Sequence, residues 1–231
     1  MTKYKLWAGI VAGLATIIIY GSGTARGQNE KVPRKEALEN VPVFMITNQQ
    51  GNPVLVQLKE EGKQVVFFFF SPQDSESALA EIRKRNPTVG QNSKVSAVPL
   101  SSAYQLAHTN PDKKLLFQFE GSRTSIESAR GILKDKDIPP VPLFFATVGE
   151  NILTLEKDGQ HSIPFFFEVK DLEKLIEETQ KKQPNLLNQV RIQVTSLFTV
   201  IDKMSNPADP TMPQLQLVPS RSAFDYANKM R

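Results

Sequence analysis

The chain spells one apolar strand-to-helix signal twice. "FFFSPQDSESAL" from Phe68 and "FFFEVKDLEKLI" from Phe165 stand 97 residues apart, and each runs from aromatic residues straight into a helix start. Two further blocks recur in the same order. "VPVFMIT" from Val41 matches "VPLFFAT" from Val141, and "VPLSSAYQLA" from Val98 matches "VPSRSAFDYA" from Val218. Three ordered matches with shared apolar positions predict a duplicated unit, and two copies are too few for a solenoid. The third pair is 120 residues apart, so the second copy is expected to carry about 23 extra residues, around Asn185 to Asn206. The expected division is a linker at 26–40, a first repeat at 41–138 and a second at 139–231. The expected fold class is mixed α/β (α+β): two pseudo-symmetric, two-lobed halves of short strands covered by helices, forming one compact domain.

Local signals give each half the same opening. Val41–Thr47 and Val141–Val148 are short runs of β-formers, and the Gly-Asn turn of "TNQQGNPV" and the Asp-Gly turn of "LEKDGQ" predict hairpins leading into the Phe strands. After the first Phe strand, Ser71 suits an N-cap, Pro72 suits the first helical position, and Asp74 and Glu76 suit the positive end of the helix dipole. Asp171, Leu172, Leu175 and Ile176 mark the matching helix, and Pro87 and Pro184 stop the two. Strands at Val95–Pro99 and Leu215–Val218 then precede short helices led by Ser102 and Ser222.

Alternation along a strand divides the Phe residues into two faces. Val66, Phe68 and Phe70 match Ile163, Phe165 and Phe167; all are large and apolar, which assigns that face to the main core. The other face pairs Val65, Phe67 and Phe69 with Ser162, Pro164 and Phe166. Only Phe69 and Phe166 stay aromatic there, so these two are the candidates for an apolar, polypeptide-binding groove between helix and sheet. Pro164 lacks an amide N–H, which predicts an edge, a bulge or a strand start, and an open edge could accept an extended peptide by strand addition.

The N-terminus has Lys3 and Lys5, an apolar run from Leu6 to Tyr20, and Gly23 and Ala25 in small-x-small spacing. That is the pattern of a signal peptide, with cleavage expected near Ala25; the alternative is a retained anchor, for which the apolar run is short. Removing 1–25 lowers the formal charge from +4 to +2, and no basic patch interleaved with aromatics suggests nucleic-acid binding. The chain has no cysteine, so an exported protein would draw its stability from its core and carry no thiol redox chemistry of its own.

Enzymatic motifs are missing. His108 and His161 stand in no metal-ligand spacing, and there is no phosphate loop, dinucleotide fingerprint or nucleophile elbow. The expectation is a non-enzyme with no catalytic residue, metal or cofactor. The stretch "KQVVFFFFSPQDSESALAEIRK" looks like the strand-to-helix turn of a thioredoxin-like domain, but Ser71-Pro72-Gln73-Asp74 stands where two cysteines would lie.

Taken together, the leader, "VPVF", "FFFFSPQDSESAL", "VPLSSAYQLA", "VPLFFA", "PFFFEVKDLEKL" and "VPSRSAFDYA" resemble the Tic twenty-two family. These are the small soluble component of the translocon at the inner chloroplast envelope and its cyanobacterial relatives. The resemblance runs from about Val41 to the C-terminus, and its motifs are structural rather than catalytic. The bacterial-style leader favours a cyanobacterial member. The resemblance implies a chaperone-like protein-transport factor with apolar pockets, linked to envelope and outer-membrane protein biogenesis. It further implies a place in the periplasm or thylakoid lumen. Its implied partners are unfolded precursor or outer-membrane proteins, the outer-membrane assembly barrel and peripheral membrane contact. A carrier of a small apolar ligand and an inactive thioredoxin-like remnant stay open as alternatives.

Overall fold

The structure, a computed structural model, describes residues 5–7, 35–58, 62–110, 115–157, 159–181 and 190–230. Strand β1 (Lys5–Trp7) and helix α1 (Lys35–Glu39) come first. The first half follows with β2 (Pro42–Asn48), β3 (Val56–Gln57), β4 (Gln64–Phe69), α2 (Pro72–Arg85), α3 (Pro87–Gln91), β5 (Ser93–Pro99), α4 (Leu100–Thr109), β6 (Leu115–Glu120) and α5 (Arg123–Leu133). The second has β7 (Pro142–Val148), β8 (Asn151–Ile152), β9 (Thr154–Lys157), β10 (Gln160–Phe166), α6 (Val169–Gln180), β11 (Val190–Ser196), α7 (Leu197–Met204), β12 (Leu215–Val218) and α8 (Arg221–Lys229). The class is the mixed α/β expected.

Each half contributes one sheet. In the first, β4 lies between a parallel β6 and an antiparallel edge shared by β3 and β2, and β2 continues to β5. In the second, β10 lies between a parallel β12 and an antiparallel edge shared by β9 and β7, and β7 continues to β11. The registers correspond: Phe44 pairs with Phe69 as Phe144 does with Phe166. The Leu100 N–H donates to Val41 at 2.8 Å, as the Leu197 N–H does to Val141 at 3.0 Å.

That correspondence corrects three expectations. Val98 lies in β5, against β2, whereas Val218 lies in β12, against β10, so the third sequence block matches two different strands. The counterpart of β5 and α4 is β11 and α7, and the counterpart of β6 and α5 is β12 and α8. Within the expected insertion around Asn185–Asn206, the described residues from Val190 onward form β11 and α7, a regular part of the unit rather than an insertion. The turns also correspond differently. Gly62 and Gly159, at φ +74° and +76°, occupy matching turns before β4 and β10, and Gly51 matches Gly149 instead of the Asp-Gly pair. Gly serves here because a positive φ costs it no Cβ clash.

Pro164 is not at a sheet edge. It pairs with Gln216 of β12 on one side and, on the other, falls where the neighbour of β10 changes from β9 to β7. A residue at that switch has no antiparallel partner, so the missing N–H removes no ladder bond there. The strand-addition site expected at Pro164 is thereby closed.

The core lies between the sheets. Val66, Phe68 and Phe70 meet Ile163, Phe165 and Phe167 in one buried cluster, as the alternation predicts. Phe70 and Phe167 stack across the junction, ring centres 4.8 Å apart. Leu100 and Ala103 of α4, and Leu197, Val200, Ile201 and Met204 of α7, complete this cluster. Leu38 joins it from α1, inside the stretch expected as a linker.

Each outer face is covered by one helix from each half. Leu79 of α2 and Ala223 of α8 pack on Phe44, Ile46 and Val95 of the first sheet. Leu172 of α6 and Ala129 of α5 pack on Phe144, Ala146 and Phe166 of the second. The last helix of each half thus crosses to the other half's sheet. Among the described residues no helix is long and apolar enough to cross a membrane. The leader expected at 1–25 lies outside the described residues except for β1, which adds antiparallel to β9. Pro184 also lies outside them.

Candidate functional site

The outer face of the first sheet is apolar well beyond its helical cover. In register across β3, β4 and β6 stand Val56, Val65 and Leu116. Val56 and Leu116 are 37% and 39% exposed, while Val65 between them is buried. The next rows on this face hold Phe67 beside Gln118, then Phe69 beside Glu120. Phe67 and Phe69 are both half-buried and stack on each other with ring centres 6.1 Å apart. Val56, Phe67 and Leu116 join none of the three buried clusters.

Among the described residues the outer face of the second sheet carries no such surface. Its matching rows hold Ser162, Pro164 and Gln216, and Gln214 stands in place of Leu116. Pro164 and Phe166 are both buried; Phe166 lies in a closed cluster with Phe144, Val169 and Leu172. Of the two sequence candidates, Phe69 borders an exposed apolar surface and Phe166 does not. The sequence comparison passed over Phe67 because its partner is a proline. It passed over Leu116 because the strand containing it had no counterpart in the mismatched third block. Loss of symmetry at those positions was the available signal.

The polar chemistry gathers where helices begin. Ser71, Ser122 and Ser220 cap α2, α5 and α8 through their hydroxyls, each accepting from the backbone N–H three residues on. Asp74 of α2 accepts the Arg123 N–H of α5 at 3.0 Å and pairs with the guanidinium at 3.2 Å. Asp171 of α6 accepts the Arg221 N–H of α8 at 3.2 Å. Glu168, where α2 has Ser71, accepts from the hydroxyls of Ser122 and Thr124. Burial pushes the Glu168 carboxyl above its ordinary range, the two hydroxyls oppose that, and Asp171 and Asp74 add to it. These carboxylates fasten helices to one another and sit at dipole ends that favour negative charge. Tyr226 of α8 donates to Glu76 of α2, and burial first, then Glu76, pushes its phenol up to about 12.

His108 and His161 are exposed, and His108 stacks on Tyr104. Among the described residues no group of three His, Asp or Glu is placed to hold a metal ion. Ser71, at the position a thioredoxin-like cysteine would take, is engaged as the α2 cap, with its oxygen 3.1 Å from the Asp74 nitrogen. What the arrangement offers is an apolar surface, with helix-capping carboxylates beside it.

A family model described as the Tic22-like family matches residues 18–227. The chain belongs to the Tic22-like family. Among curated relatives, the Arabidopsis thaliana protein named TIC 22-like, chloroplastic, is 27% identical over 192 residues, covering 80% of this chain and 59% of its own length. The Pisum sativum protein named TIC 22, chloroplastic, is 23% identical over 171 residues, covering 73% of this chain and 65% of its own length. The chain therefore spans about three fifths of the length of the curated relatives it matches. Among solved structures, Tic22 from Plasmodium falciparum superposes with a TM-score of 0.72 at 28% identity, over 86% of this chain and 97% of that one. Tic22 of Anabaena, described as a protein of protein transport, has a TM-score of 0.71 at 24% identity over 85% and 96%, which shows the shared fold.

Proposed function

We propose that this Tic22-like chain is an exported, chaperone-like transport factor that holds unfolded or translocating polypeptides on the outer face of its first sheet. One observation carries the reading: among the described residues, Phe67, with Val56 and Leu116 in the neighbouring rows, leaves aromatic and aliphatic surface uncovered on the outer face of the first sheet. Burying a Phe or Leu side chain stabilises by roughly 1.5–3 kcal/mol, so a clustered apolar surface in water marks a site that is covered by a partner. Unfolded chains are rich in such side chains and need no fixed shape, which suits a shallow surface without convergent polar groups. The leader-like N-terminal pattern supports an exported compartment for the chain, periplasm or thylakoid lumen. Its clients there are unfolded precursor or outer-membrane proteins, handed on to an outer-membrane assembly barrel at the membrane surface. The chemistry is binding, not catalysis.

The test is suppression of aggregation of a chemically unfolded model client by the intact chain, compared with Phe67→Ser. Pro164 at the matching place shows that the sheet does not need an aromatic there, so the variant should keep the parent thermal midpoint while losing most of the suppression. Equal suppression by both proteins, or none by the parent, sinks the proposal. A stoichiometric apolar small molecule in the native mass spectrum would point instead to a carrier.

A further inference from the structure

We infer that β6 is a strand-addition edge: an extended client segment with alternating apolar residues pairs with Leu115–Glu120 and continues the first sheet. This rests on the polypeptide-binding reading and names the chemistry that reading leaves open. Among the described residues β6 pairs with β4 alone, so alternate residues of the strand, Leu115, Phe117 and Phe119, turn their backbone N–H and C=O groups outward; of these the Leu115 C=O already accepts from the Asn110 side chain at 3.4 Å. Groups of that kind are satisfied in water or by another strand.

Among the described residues the edge strands β5, β6, β11 and β12 differ in how they are protected. Natural edges are blunted by charge, proline, shortness or a covering element. β5 carries Lys94, exposed, and ends at Pro99; β11 carries Arg191, exposed. β12 is four residues long and has α1 packed against it. β6 reads "LLFQFE", with no basic residue, no proline and apolar side chains on both faces. Leu116 is exposed on the outer face; Leu115 and Phe117 are half-buried on the inner face, where Phe117 stacks on Phe68 at 6.3 Å.

That two-sided character selects the occupant. A strand laid beside β6 would set alternate side chains against Leu115 and Phe117 on the core side, and the others against Leu116 and Gln118 outside. Large apolar residues suit the first set, and polar or small ones are tolerated in the second. An amphipathic helix could reach only one of the two faces and would leave the edge bonds unmade.

Hydrogen exchange of the intact chain tests this with a defined probe: a twelve-residue peptide alternating Val or Phe with Thr or Gln, and a rearrangement of the same composition at helical spacing. The alternating peptide should slow exchange across residues 115–120 at saturation, and the rearranged one should not. Leu116→Lys puts a charge at an exposed position and should leave the thermal midpoint unchanged while weakening the alternating peptide about tenfold. Unchanged exchange at saturating peptide, protection confined to β5 or β11, or equal affinity of Leu116→Lys overturns the inference. So does concentration-dependent protection of β6 without peptide in a chain that sediments as a dimer, because the occupant is then a second copy. Aggregation suppression by the parent with residues 115–120 unprotected at saturating peptide removes the edge but leaves the apolar-face reading; loss of all suppression in the parent removes both.

Discussion

The carboxylate of Glu168 occupies a position that its counterpart in the first half fills with a neutral serine cap. It is half-buried, it reaches across to the two hydroxyls at the start of α5, and two further carboxylates, Asp171 and Asp74, face it from α6 and α2. Burial is the largest influence and raises its pKa above the ordinary 4.5. Between those two values the folded state holds more proton than the unfolded state. The resulting stabilisation is therefore complete below the ordinary value and is lost as pH rises through the raised one. Glu168→Gln removes the charge and keeps the size. Its thermal midpoint at pH 7 should equal or exceed that of the parent, and its slope of midpoint against pH from 4.5 to 7 should be flatter. A variant clearly less stable than the parent at pH 7, with the same slope, would show that the charge is held favourably.

At the scale of elements, two cap serines of the first half, Ser71 and Ser122, give a comparison of helix caps. Among the described residues the Ser71 hydroxyl hydrogen-bonds only within α2, which it caps, whereas Ser122 caps α5 and also donates to Glu168 at the start of α6. An N-cap serine replaced by alanine costs about 1 kcal/mol. Ser71→Ala should lose about that much in chemical denaturation. Ser122→Ala should lose more, because it leaves a buried carboxylate short of a hydrogen bond. Equal losses would mean that the Ser122–Glu168 contact contributes nothing net. The same elements show what could be read from the chain. Ser71-Pro72 announced the start of α2, and alternation sorted Phe68 and Phe70 from Phe67 and Phe69, because caps and strand faces are local rules. The pairing of β5 with β11, and of β6 with β12, was missed. Val98 and Val218 both sit in a strand followed by a Pro-x-x-Ser run and a helix, and local spelling does not say which neighbour a strand chooses. Pro164 misled for a related reason: a proline is compatible with a central strand where the partner changes, and only the sheet order reveals such a place. The binding surface was half legible. Phe69 was found as a conserved feature between the two copies, while Phe67 and Leu116 required seeing that only one sheet is left uncovered.

Across the whole molecule, the crossing of α5 and α8 decides how the chain must fold. The first sheet has its outer face completed by Ala223 and Tyr226 from the C-terminal helix, and the second by Ala129 from the first half. Their inner faces share one core, with Phe70 stacked on Phe167. Neither half can bury both faces of its sheet alone, so the halves are not separate units of folding. A fragment of residues 35–138 would expose Phe68, Phe70 and Phe119 on one face and Phe44 and Ile46 on the other, and would leave α5 without a sheet. It should lack near-ultraviolet ellipticity and a cooperative denaturation transition, and mixing it with residues 139–231 should restore both. In the intact chain Phe167→Ala removes the stacking partner from the shared core and should cost about 3–5 kcal/mol, the range for a buried Phe reduced to Ala. That loss should appear as one shifted transition reported identically by signals from either half. Two separated transitions, or an independently cooperative 35–138 fragment, would show that the shared core and the exchanged helices do not couple the halves.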